Sequence, residues 1–513
     1  MSHIVVIGYG MVGSRFVEDL TAADHAGEHL VTVLGDEACE PYNRVLLSDV
    51  VAGTRGLSAI ALPAPDHPRV TVQRGVAVRA IDRGRRDVVL ADDSRIPYDE
   101  LVIATGAAAR VPALPGLGSG PGGRGDLPSG VHVLRSIDDA REIIAATLNA
   151  RRAIVLGGGV LGLEAASGLA RRDLAVTVVH PSPALMERQL DEGASRVVES
   201  TLRRTGVDQR VGVGAQEVVV EEGRLRRVHL TNGEVLAADL LVLSTGTVPS
   251  TQLAEAAGID VDRGVLVDAD LTTSDPHVHA IGDCAQPPGG ASGLVAQGWE
   301  QARRLADRLT GRDPEAVTTG VGDVVKPKTH GVDIVTMGVC GSGRVDDPAH
   351  RVVRLSDPAA GRHLEIVVRD GLLVGATAVG AGRVGTDLIT SYTRRTPLPA
   401  DPAHLLLPAI APAATTMRRD SPSLIPDRAT ICRCNGVTKG DIRTEFASGA
   451  TTLEQVAEST RATTGCGGCT DAVCGILDWL GADAGPSQPA TTPGEGGFTP
   501  GKHDQDRAET RAS

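Results

Sequence analysis

Four of the eight cysteines in the chain lie in two close pairs whose spacing could support metal chemistry. The first pair is Cys432-x-Cys434. The second is Cys466-x-x-Cys469, and 31 residues separate the two pairs. Four thiolates on two short loops suit either a tetrahedral zinc site or an iron–sulfur cluster. Two disulfide bonds are a third alternative, which a reducing compartment would disfavour.

The residues between the two cysteine pairs carry signals for the starts of two helices. Thr438 stands three positions before Asp441, and Thr452 stands three positions before Gln455. This is the spacing at which a hydroxyl and an N3 side chain cap the first backbone N–H groups of a helix. We therefore expect loop, helix, helix and loop in that order, with a cysteine pair on each loop.

The segment containing CRCNGVTKGDI and TGCGGC resembles the bacterioferritin-associated-ferredoxin-like module. The resemblance covers about fifty residues and all four cysteines, within residues 429–480. It implies a 2Fe–2S cluster with ligands Cys432, Cys434, Cys466 and Cys469. The alternative from spacing alone is a module that binds structural zinc or takes part in iron release.

A glycine-rich turn near the start of the chain could bind a dinucleotide. An apolar run at residues 4–7 leads into GYGMVG at 8–13, then a helical pattern, then a second apolar run that ends before Asp36. In such a unit the turn and the helix N-terminus bind pyrophosphate, and the acid binds ribose hydroxyls. The order of these features predicts a dinucleotide-binding unit.

The same layout recurs from residue 153, where a strand pattern leads into GGGVLG at 157–162. Roughly ninety residues after each glycine turn, a strand pattern ends in a small-residue turn, LVIATG and LLVLSTG respectively. This internal duplication predicts two dinucleotide sites. We expect the first to bind FAD and the second to bind a nicotinamide cofactor.

The second unit lacks the acid that follows the second strand of the first unit. His180 stands there instead, either as a polar cap on the strand or as a ribose contact. No arginine follows at once to bind a 2′-phosphate, so we expect NADH to be preferred over NADPH. Glu164, on the helix after the glycine turn, is a candidate for orienting the nicotinamide; a solvated helix glutamate is the alternative.

Several individual residues outside the glycine turns are further candidates for the flavin site. Asp283 ends the strand pattern VHAIGD and could accept hydrogen bonds from ribityl hydroxyls, and the helix predicted at 293–302 could cover the flavin ring. Arg44 could bind the flavin pyrophosphate or lie on the surface. Cys39 has no cysteine nearby, so we expect an inert thiol. Lys328, with the lysine two positions before it, faces either the flavin or water.

The segments IVVIGYGMVGSRFVEDL, PYNRVLLS, YDELVIATG, IVLGGGVLGLEAA, VVHPSPALMERQLD and VHAIGDCAQ resemble the flavoprotein portion of NAD(P)H-dependent nitrite reductase large subunits. The same portion occurs in the electron-transfer subunit of assimilatory nitrate reductase, but the resemblance to the nitrite enzyme's large subunit is greater. The resemblance covers about residues 3–480 and implies an NAD(P)H-dependent FAD oxidoreductase. It implies FAD contacts at Gly8, Gly10, Gly13, Asp36, Arg44 and Asp283, and nicotinamide-cofactor contacts at Gly157, Gly159, Gly162 and Glu164. The small-residue turns add Thr105, Gly106, Gly246 and Gly282 to the candidate cofactor-binding residues.

These patterns predict an α/β protein with two Rossmann-like domains of the glutathione-reductase type, a small α+β domain and a small helical 2Fe–2S module. We expect the following division: an FAD-binding domain at 1–113 and 244–312, an NAD(P)H-binding domain at 114–243, a rubredoxin-reductase-like domain at 320–408, a linker at 411–428, the 2Fe–2S module at 429–480 and a disordered tail at 481–513.

Composition narrows the possible partners. A net charge of −13 argues against nucleic acid as a binding partner. No apolar run is long enough to span a membrane and no signal peptide is recognisable, so we expect a cytoplasmic protein without a membrane partner. The remaining cysteines are scattered and do not suggest a second cluster. We therefore expect a separate sirohaem nitrite reductase or molybdenum nitrate reductase subunit to carry out the terminal reduction; the alternative is a free-standing NADH:ferredoxin or rubredoxin reductase.

Overall fold

The structure is a computed structural model that describes residues 1–118, 127–290, 293–312, 324–342, 344, 347–407, 422–432, 435–465 and 467–483. Cys434 and Cys466 lie outside the described residues, as do most of the predicted linker and almost all of the predicted tail. No helix in the described ranges is long and apolar enough to cross a membrane.

The first three groups of elements each contain both strands and helices. The first group comprises β1 (Ser2–Ile7), α1 (Met11–Ala23), β2 (His29–Gly35), α2 (Leu47–Ala52), β3 (Val70–Arg74), β4 (Val78–Asp82), β5 (Asp87–Leu90), β6 (Arg95–Pro97), β7 (Glu100–Ile103) and β8 (Ala107–Ala109). The second comprises β9 (Val131–Val133), α3 (Ile137–Thr147), β10 (Arg152–Leu156), α4 (Val160–Ala170), β11 (Ala175–His180), α5 (Glu192–Arg204), β12 (Val207–Val211), β13 (Ala215–Glu221), β14 (Arg224–Leu230), β15 (Val235–Ala237) and β16 (Leu240–Leu243). The third comprises β17 (Thr247–Pro249), α6 (Gln252–Ala256), β18 (Val265–Leu266), β19 (Val278–Ala280), β20 (Ala285–Gln286) and α7 (Val295–Leu309).

Two smaller groups follow. The fourth comprises β21 (Ile334–Gly338), β22 (Arg351–Asp357), β23 (Arg362–Arg369), β24 (Leu372–Val379) and α8 (Gly382–Arg394). The fifth comprises β25 (Thr430–Cys432), β26 (Val437–Thr438), α9 (Lys439–Ala447), α10 (Leu453–Thr460) and α11 (Thr470–Asp483).

Two five-stranded parallel sheets form the centre of the fold. Their strand orders are β19-β7-β1-β2-β3 and β12-β11-β10-β16-β9. The central strand of the first sheet is apolar on both faces, and Ile4, Val5 and Val6 are fully buried. Each glycine turn connects the central strand of its sheet to a helix, α1 or α4. The predicted α/β fold with two Rossmann-like units is confirmed.

The fourth group is an antiparallel sheet, β21-β24-β23-β22, on which α8 packs. The fifth group contains the cysteine module. Thr438 and Thr452 are the N-caps of α9 and α10, and both form the capping boxes that the sequence predicts. A third helix, α11, begins directly after Cys469, and its buried Val473 and Ile476 complete the core of the module.

Candidate functional site

The turn between β1 and α1 packs against backbone at Gly8 and Gly13 and is open at Gly10. Gly8 has φ +113°, and a Cβ there would overlap the carbonyl oxygen of Ala104; a Cβ on Gly13 would overlap the carbonyl oxygen of Gly8. Gly10 is the N-cap of α1 and makes no side-chain cap, and among the described residues a Cβ there would come within 4 Å only of Arg44. The first N–H groups of α1 have no partner within the helix. They therefore suit the pyrophosphate of a dinucleotide.

The turn between β10 and α4 repeats this geometry. Gly157 has φ +112°, and a Cβ there would overlap the carbonyl oxygen of Ser244, the counterpart of Ala104 in the first unit. A Cβ on Gly162 would overlap the carbonyl oxygen of Gly157, whereas a Cβ on Gly159 would meet no described atom within 4 Å. The second turn therefore fits a second dinucleotide in the same way.

The two candidate acids of the first unit occupy different surroundings. Asp36 follows β2 directly and is exposed at the cavity wall. Asp283 lies in the 3-10 turn after β19, and its Oδ2 accepts from Arg135 Nη2 at 2.7 Å. The neighbouring Gly282 N–H donates to Gln301 Oε1 at 2.7 Å, which fixes this turn against α7. Sequence reasoning missed Arg135, because no local pattern connects it with Asp283.

Arg44 lies inside the site and is not a surface arginine. Its guanidinium pairs with Glu37 and donates to the carbonyl oxygen of Arg135 at 3.1 Å. Tyr42 donates its hydroxyl to the other carboxylate oxygen of Glu37 at 2.7 Å and lies beneath the guanidinium. This network holds the guanidinium beside the first glycine turn, where a Cβ on Gly10 would lie 3.9 Å from Arg44 Nε.

The small-residue turns after β7 and β16 form part of the same wall. Thr105 donates its hydroxyl to the carbonyl oxygen of Ser250 at 2.8 Å. Gly106 and Gly246 have φ of +68° and +98°, and a Cβ on either would meet no described atom within 4 Å. Both glycines face open space, so the backbone is accessible to a ligand there.

Glu164 is 5% exposed, so the alternative of a solvated helix glutamate is wrong. Its carboxylate accepts from Lys328 Nζ at 2.9 and 3.0 Å, from the Lys328 backbone N–H at 2.9 Å and from Ser48 Oγ at 2.6 Å. Burial raises the pKa of the adjacent Asp49, and the charge of Lys328 opposes that rise. Lys328 also lines the cavity, and the prediction that it faces the flavin stays a prediction.

His180 is 8% exposed and contacts the second glycine turn. Its Nδ1 accepts from the Gly158 N–H at 3.1 Å, and its Nε2 lies 3.0 Å from Glu187 Oε2. His180 therefore caps the end of β11, as one of the two alternatives predicts. Sequence reasoning missed Glu187, because it lies in a loop seven positions further along.

Two of the four candidate cluster ligands can be placed. Cys432 ends β25 and is 1% exposed, and Cys469 stands directly before α11. Asn435 Nδ2 lies 3.9 Å from Cys432 Sγ. The ranges described contain no group of three or more metal-ligating side chains, and Cys434 and Cys466 fall outside those ranges. Cys432 and Cys469 line the same cavity, and two thiols placed in this way fit a thiolate-bound cluster.

The cysteine module packs against the first unit through a buried side chain. Asn43, which is 1% exposed, donates its side-chain amide to the carbonyl oxygens of Thr464 and Gly465, directly before the second cysteine pair. A Cβ on Gly467 would lie 3.5 Å from Leu46. The loop that carries Cys466 and Cys469 is therefore seated on the segment that also carries Arg44.

Charged side chains on α1 add further contacts between the first unit and the cysteine module. Arg461 pairs with Glu18, and Arg15 Nη1 donates to Asn435 Oδ1 at 3.2 Å. Burial raises the pKa of Glu18, and Arg461 opposes that rise.

One cavity of 2390 Å³ extends from the two glycine turns to Cys432 and Cys469. It is lined by both glycine turns, by the ion pair of Glu164 and Lys328, and by the cysteine loops. The sequence-predicted residues on its wall are Gly8, Gly10, Asp36, Arg44, Thr105, Gly106, Gly157, Gly159, Glu164, Gly246, Gly282, Asp283, Cys432 and Cys469.

Cys39 also lines this cavity but is not poised for reaction. Burial raises the pKa of its thiol, and the nearby Glu37 carboxylate raises it further. The thiol is therefore protonated near neutral pH, in line with the predicted inert cysteine.

Two family models match the chain. Residues 2–304 match the model described as pyridine nucleotide-disulphide oxidoreductase, and residues 430–479 match the model described as BFD-like [2Fe-2S] binding domain. The second match covers both cysteine pairs. Together they confirm FAD, a nicotinamide cofactor and a 2Fe–2S cluster as the cofactors.

Two curated relatives from Bacillus subtilis (strain 168) are similar over nearly the whole chain. The assimilatory nitrate reductase electron transfer subunit is 30% identical over 96% of this chain and 61% of its own length. The nitrite reductase [NAD(P)H] is 31% identical over 94% of this chain and 58% of its own length. The chain thus spans about three fifths of each relative.

Among solved structures, the covalent putidaredoxin reductase–putidaredoxin complex is similar to this chain with a TM-score of 0.68 and 25% identity. The similarity covers 80% of this chain and 99% of that one.

Proposed function

The chain belongs to the pyridine nucleotide-disulphide oxidoreductase family, and from this we propose that it passes electrons from NAD(P)H, through FAD and a 2Fe–2S cluster, to a separate nitrite- or nitrate-reducing subunit. A flavin bound here would supply the link between the two-electron chemistry of a reduced nicotinamide and the one-electron chemistry of an iron–sulfur cluster.

The observation that carries this proposal is the single cavity shared by both glycine turns and the cysteine loops. An electron relay requires its redox groups to lie close together, and here one continuous space is bounded by all three sets of candidate residues. The seating of the second cysteine loop on Asn43 keeps that loop against the flavin side of the cavity.

In the flavin half, the residues supply binding and orientation. The N–H groups at the start of α1 hold the pyrophosphate, and Arg44 adds a positive charge beside them. Asp36 accepts from the adenosine ribose, and Asp283, oriented by Arg135, accepts from the ribityl chain. The backbone at Thr105, Gly106, Gly246 and Gly282 provides walls without side-chain bulk.

In the nicotinamide half, the turn at Gly157, Gly159 and Gly162 holds the second pyrophosphate. Glu164 is the candidate catalytic residue, and its buried carboxylate would orient the nicotinamide. Lys328 balances the charge of this carboxylate and fixes its position with three hydrogen bonds, one from its backbone N–H and two from Nζ. Ser48 fixes the second carboxylate oxygen.

The cluster is held by Cys432, Cys434, Cys466 and Cys469, in keeping with the BFD-like match over residues 430–479. Asn435 bridges the two cysteine loops, since its amide nitrogen donates to Arg461 O at 2.5 Å and to Thr464 Oγ1 at 3.1 Å.

A separate reducing subunit is favoured by the name of one relative, which is itself an electron transfer subunit of assimilatory nitrate reductase. The other relative is a nitrite reductase, so nitrite and nitrate are both candidate final acceptors. The proposed location of the relay is the cytoplasm.

The experiment begins with purified protein assayed for flavin, iron and acid-labile sulfide. We expect one FAD and two irons with two sulfides per chain. The protein is then mixed with a sirohaem nitrite reductase subunit or a molybdenum nitrate reductase subunit, and NADH-dependent loss of nitrite or nitrate is followed. Stoichiometric zinc without iron would refute the cluster proposal.

The second candidate function is a free-standing reductase of small ferredoxins or rubredoxins. The similarity to the putidaredoxin reductase complex favours it, because that reductase is covalently joined to putidaredoxin, a separate protein, in the solved structure. Fast reduction of an added ferredoxin, together with no activity on either reductase subunit, would establish this second function instead.

A further inference from the structure

The loop after β11 places a carboxylate where the second dinucleotide unit lacks its expected acid. In the first unit Asp36 directly follows the second strand. In the second unit His180 ends the corresponding strand, and the structure brings Glu187 to it from the loop beyond. Glu187 lines the same cavity as the second glycine turn.

The hydrogen bonds of His180 define the tautomer of its neutral ring. The Gly158 N–H can only donate, so Nδ1, at 3.1 Å, must carry a lone pair. The proton of the neutral imidazole then resides on Nε2 and points at Glu187 Oε2, 3.0 Å away. His180 is thus a fixed donor that connects the glycine turn to the Glu187 carboxylate.

The backbone of the loop is anchored on both sides. The Met186 N–H donates to the carbonyl oxygen of Gly158 at 2.9 Å, which ties the loop to the glycine turn. Ser342, from the fourth group of elements, donates its backbone N–H and its hydroxyl to the carbonyl oxygen of Glu187, both at 2.9 Å. The carboxylate therefore has a defined position at the edge of the sheet.

We propose that Glu187, positioned by His180, accepts from the ribose hydroxyls of the adenosine half of the nicotinamide cofactor and thereby selects NADH over NADPH. This inference rests on the proposed function, since it assigns a specificity residue at the same site. An acid at this edge of a dinucleotide-binding unit accepts from the ribose 2′-hydroxyl. A 2′-phosphate would instead meet a like charge, which opposes its binding.

Arg188 could instead favour NADPH. It is exposed on the same cavity wall, and a guanidinium binds phosphate well. Glu187 is favoured because it alone is tied through His180 to the turn that holds the pyrophosphate.

The test compares Glu187→Gln with wild type as purified FAD-loaded protein. Glutamine keeps an oxygen acceptor for His180 and removes the negative charge. We expect kcat/KM for NADH to fall and the NADPH-to-NADH ratio of kcat/KM to rise about tenfold, which corresponds to about 1.4 kcal/mol. Equilibrium binding of NAD⁺ and NADP⁺, measured calorimetrically, should shift in the same direction without any turnover.

The matched control is Glu192→Gln, which removes a charge from an exposed side chain in the first turn of α5. It should leave unchanged both the NADPH-to-NADH ratio of kcat/KM and the relative affinity for NADP⁺ and NAD⁺. His180→Ala should also raise the NADPH-to-NADH ratio of kcat/KM and the affinity for NADP⁺ relative to NAD⁺. The reason is that the Glu187 carboxylate loses the hydrogen bond from His180 that positions it.

An unchanged ratio in Glu187→Gln, with NADH still reducing the flavin, would overturn this inference and leave the proposed function intact. A wild-type preference for NADPH that Arg188→Gln abolishes would overturn it in favour of the arginine. If neither cofactor binds or reduces wild-type flavin, the proposed function fails and the inference fails with it.

Discussion

Lys328 Nζ lies 2.9 Å from Glu164 Oε1, although 164 positions separate the two residues along the chain. The pair joins α4 of the second unit to the segment that leads into the fourth group of elements, and Ser48 adds the first unit to the same carboxylate. Three parts of the chain thus converge on one buried charge. The candidate hydride-transfer site exists only when all three are assembled.

The first prediction concerns this ion pair. Lys328→Met leaves the Glu164 carboxylate buried without its cation, which typically costs about 3–5 kcal/mol. We expect a clear fall in unfolding temperature and slower reduction of the flavin by NADH, checked by thermal scanning and stopped-flow absorbance. Lys326→Met, at an exposed lysine two positions away, should change stability by no more than about 0.5 kcal/mol. Equal effects of both substitutions would contradict the proposed role of the pair.

The two glycine turns give a second prediction. Gly8→Ala and Gly157→Ala each place a Cβ on a neighbouring carbonyl oxygen at a positive φ, a strain of about 1–3 kcal/mol before the clash is counted. Gly8→Ala should lose FAD during purification. Gly157→Ala should keep FAD and lose reduction by NADH. Flavin absorbance and fluorescence distinguish the two outcomes.

A suitable control for these variants is Gly84→Ala, at an exposed turn where the nearest described atom is 3.6 Å from the new Cβ. It should retain both FAD and NADH reduction. If Gly157→Ala lost FAD and Gly8→Ala did not, the assignment of the two cofactors to the two turns would be reversed.

Local patterns in the sequence predicted the parts of this site that are local in space. Each glycine turn is a contiguous segment between a strand and a helix, and the capping boxes at Thr438 and Thr452 span four residues each. The contacts that complete the site are not local. Arg135 reaches Asp283 across 148 positions, and Asn43 reaches Thr464 across 421. These partners come from tertiary packing of separate units, which no periodicity or spacing encodes.

The third prediction concerns acid stability of the flavin unit. Burial alone would raise the pKa of Glu100, but hydrogen bonds from His279 and His277 lower it below its ordinary value. An acid whose folded-state pKa is lowered stabilises the fold above its unfolded pKa, about 4.3, and loses that contribution as pH falls through the folded value. Glu100 bridges β7 and β19, whose ends carry Thr105 and Asp283.

We therefore expect FAD release, followed by fluorescence, to increase as pH falls below about 4.3. Glu100→Gln should weaken FAD retention at pH 7 and flatten its change in this acid range. Glu28→Gln, an exposed position on the same unit, should behave as wild type. An unaltered acid profile in Glu100→Gln would exclude this carboxylate as the cause.

The fourth prediction tests the seat of the cysteine module. Asn43 donates to two module carbonyl oxygens, while its Oδ1 accepts from the Val45 N–H at 3.0 Å. Asn43→Asp keeps the local acceptor, removes both donors and places a negative charge against two carbonyl oxygens. We expect slower transfer from flavin to cluster with unchanged reduction of flavin by NADH, resolved by stopped-flow absorbance.

Faster proteolysis around the module should accompany this change, because the docked arrangement is weakened. Asn149→Asp, at an exposed position in the second unit, is the matched control and should leave both readouts unchanged. Normal transfer in Asn43→Asp despite a released module would show that docking at this seat is not required.

The last prediction separates electron entry from electron exit. The residues proposed to bind FAD and NADH belong to the first three groups of elements, whereas all four candidate cluster ligands belong to the module. Cys466→Ser should therefore lose iron and acid-labile sulfide while keeping FAD and nearly full NADH-dependent reduction of a two-electron dye. Reduction of nitrite or nitrate through an added reductase subunit should be abolished.

Cys474→Ser, which alters a cysteine on α11 outside the proposed ligand set, should keep both activities and the full iron content. A collapse of dye reduction in Cys466→Ser with FAD still bound would mean that flavin reduction depends on the cluster, and the two stages would not be separable.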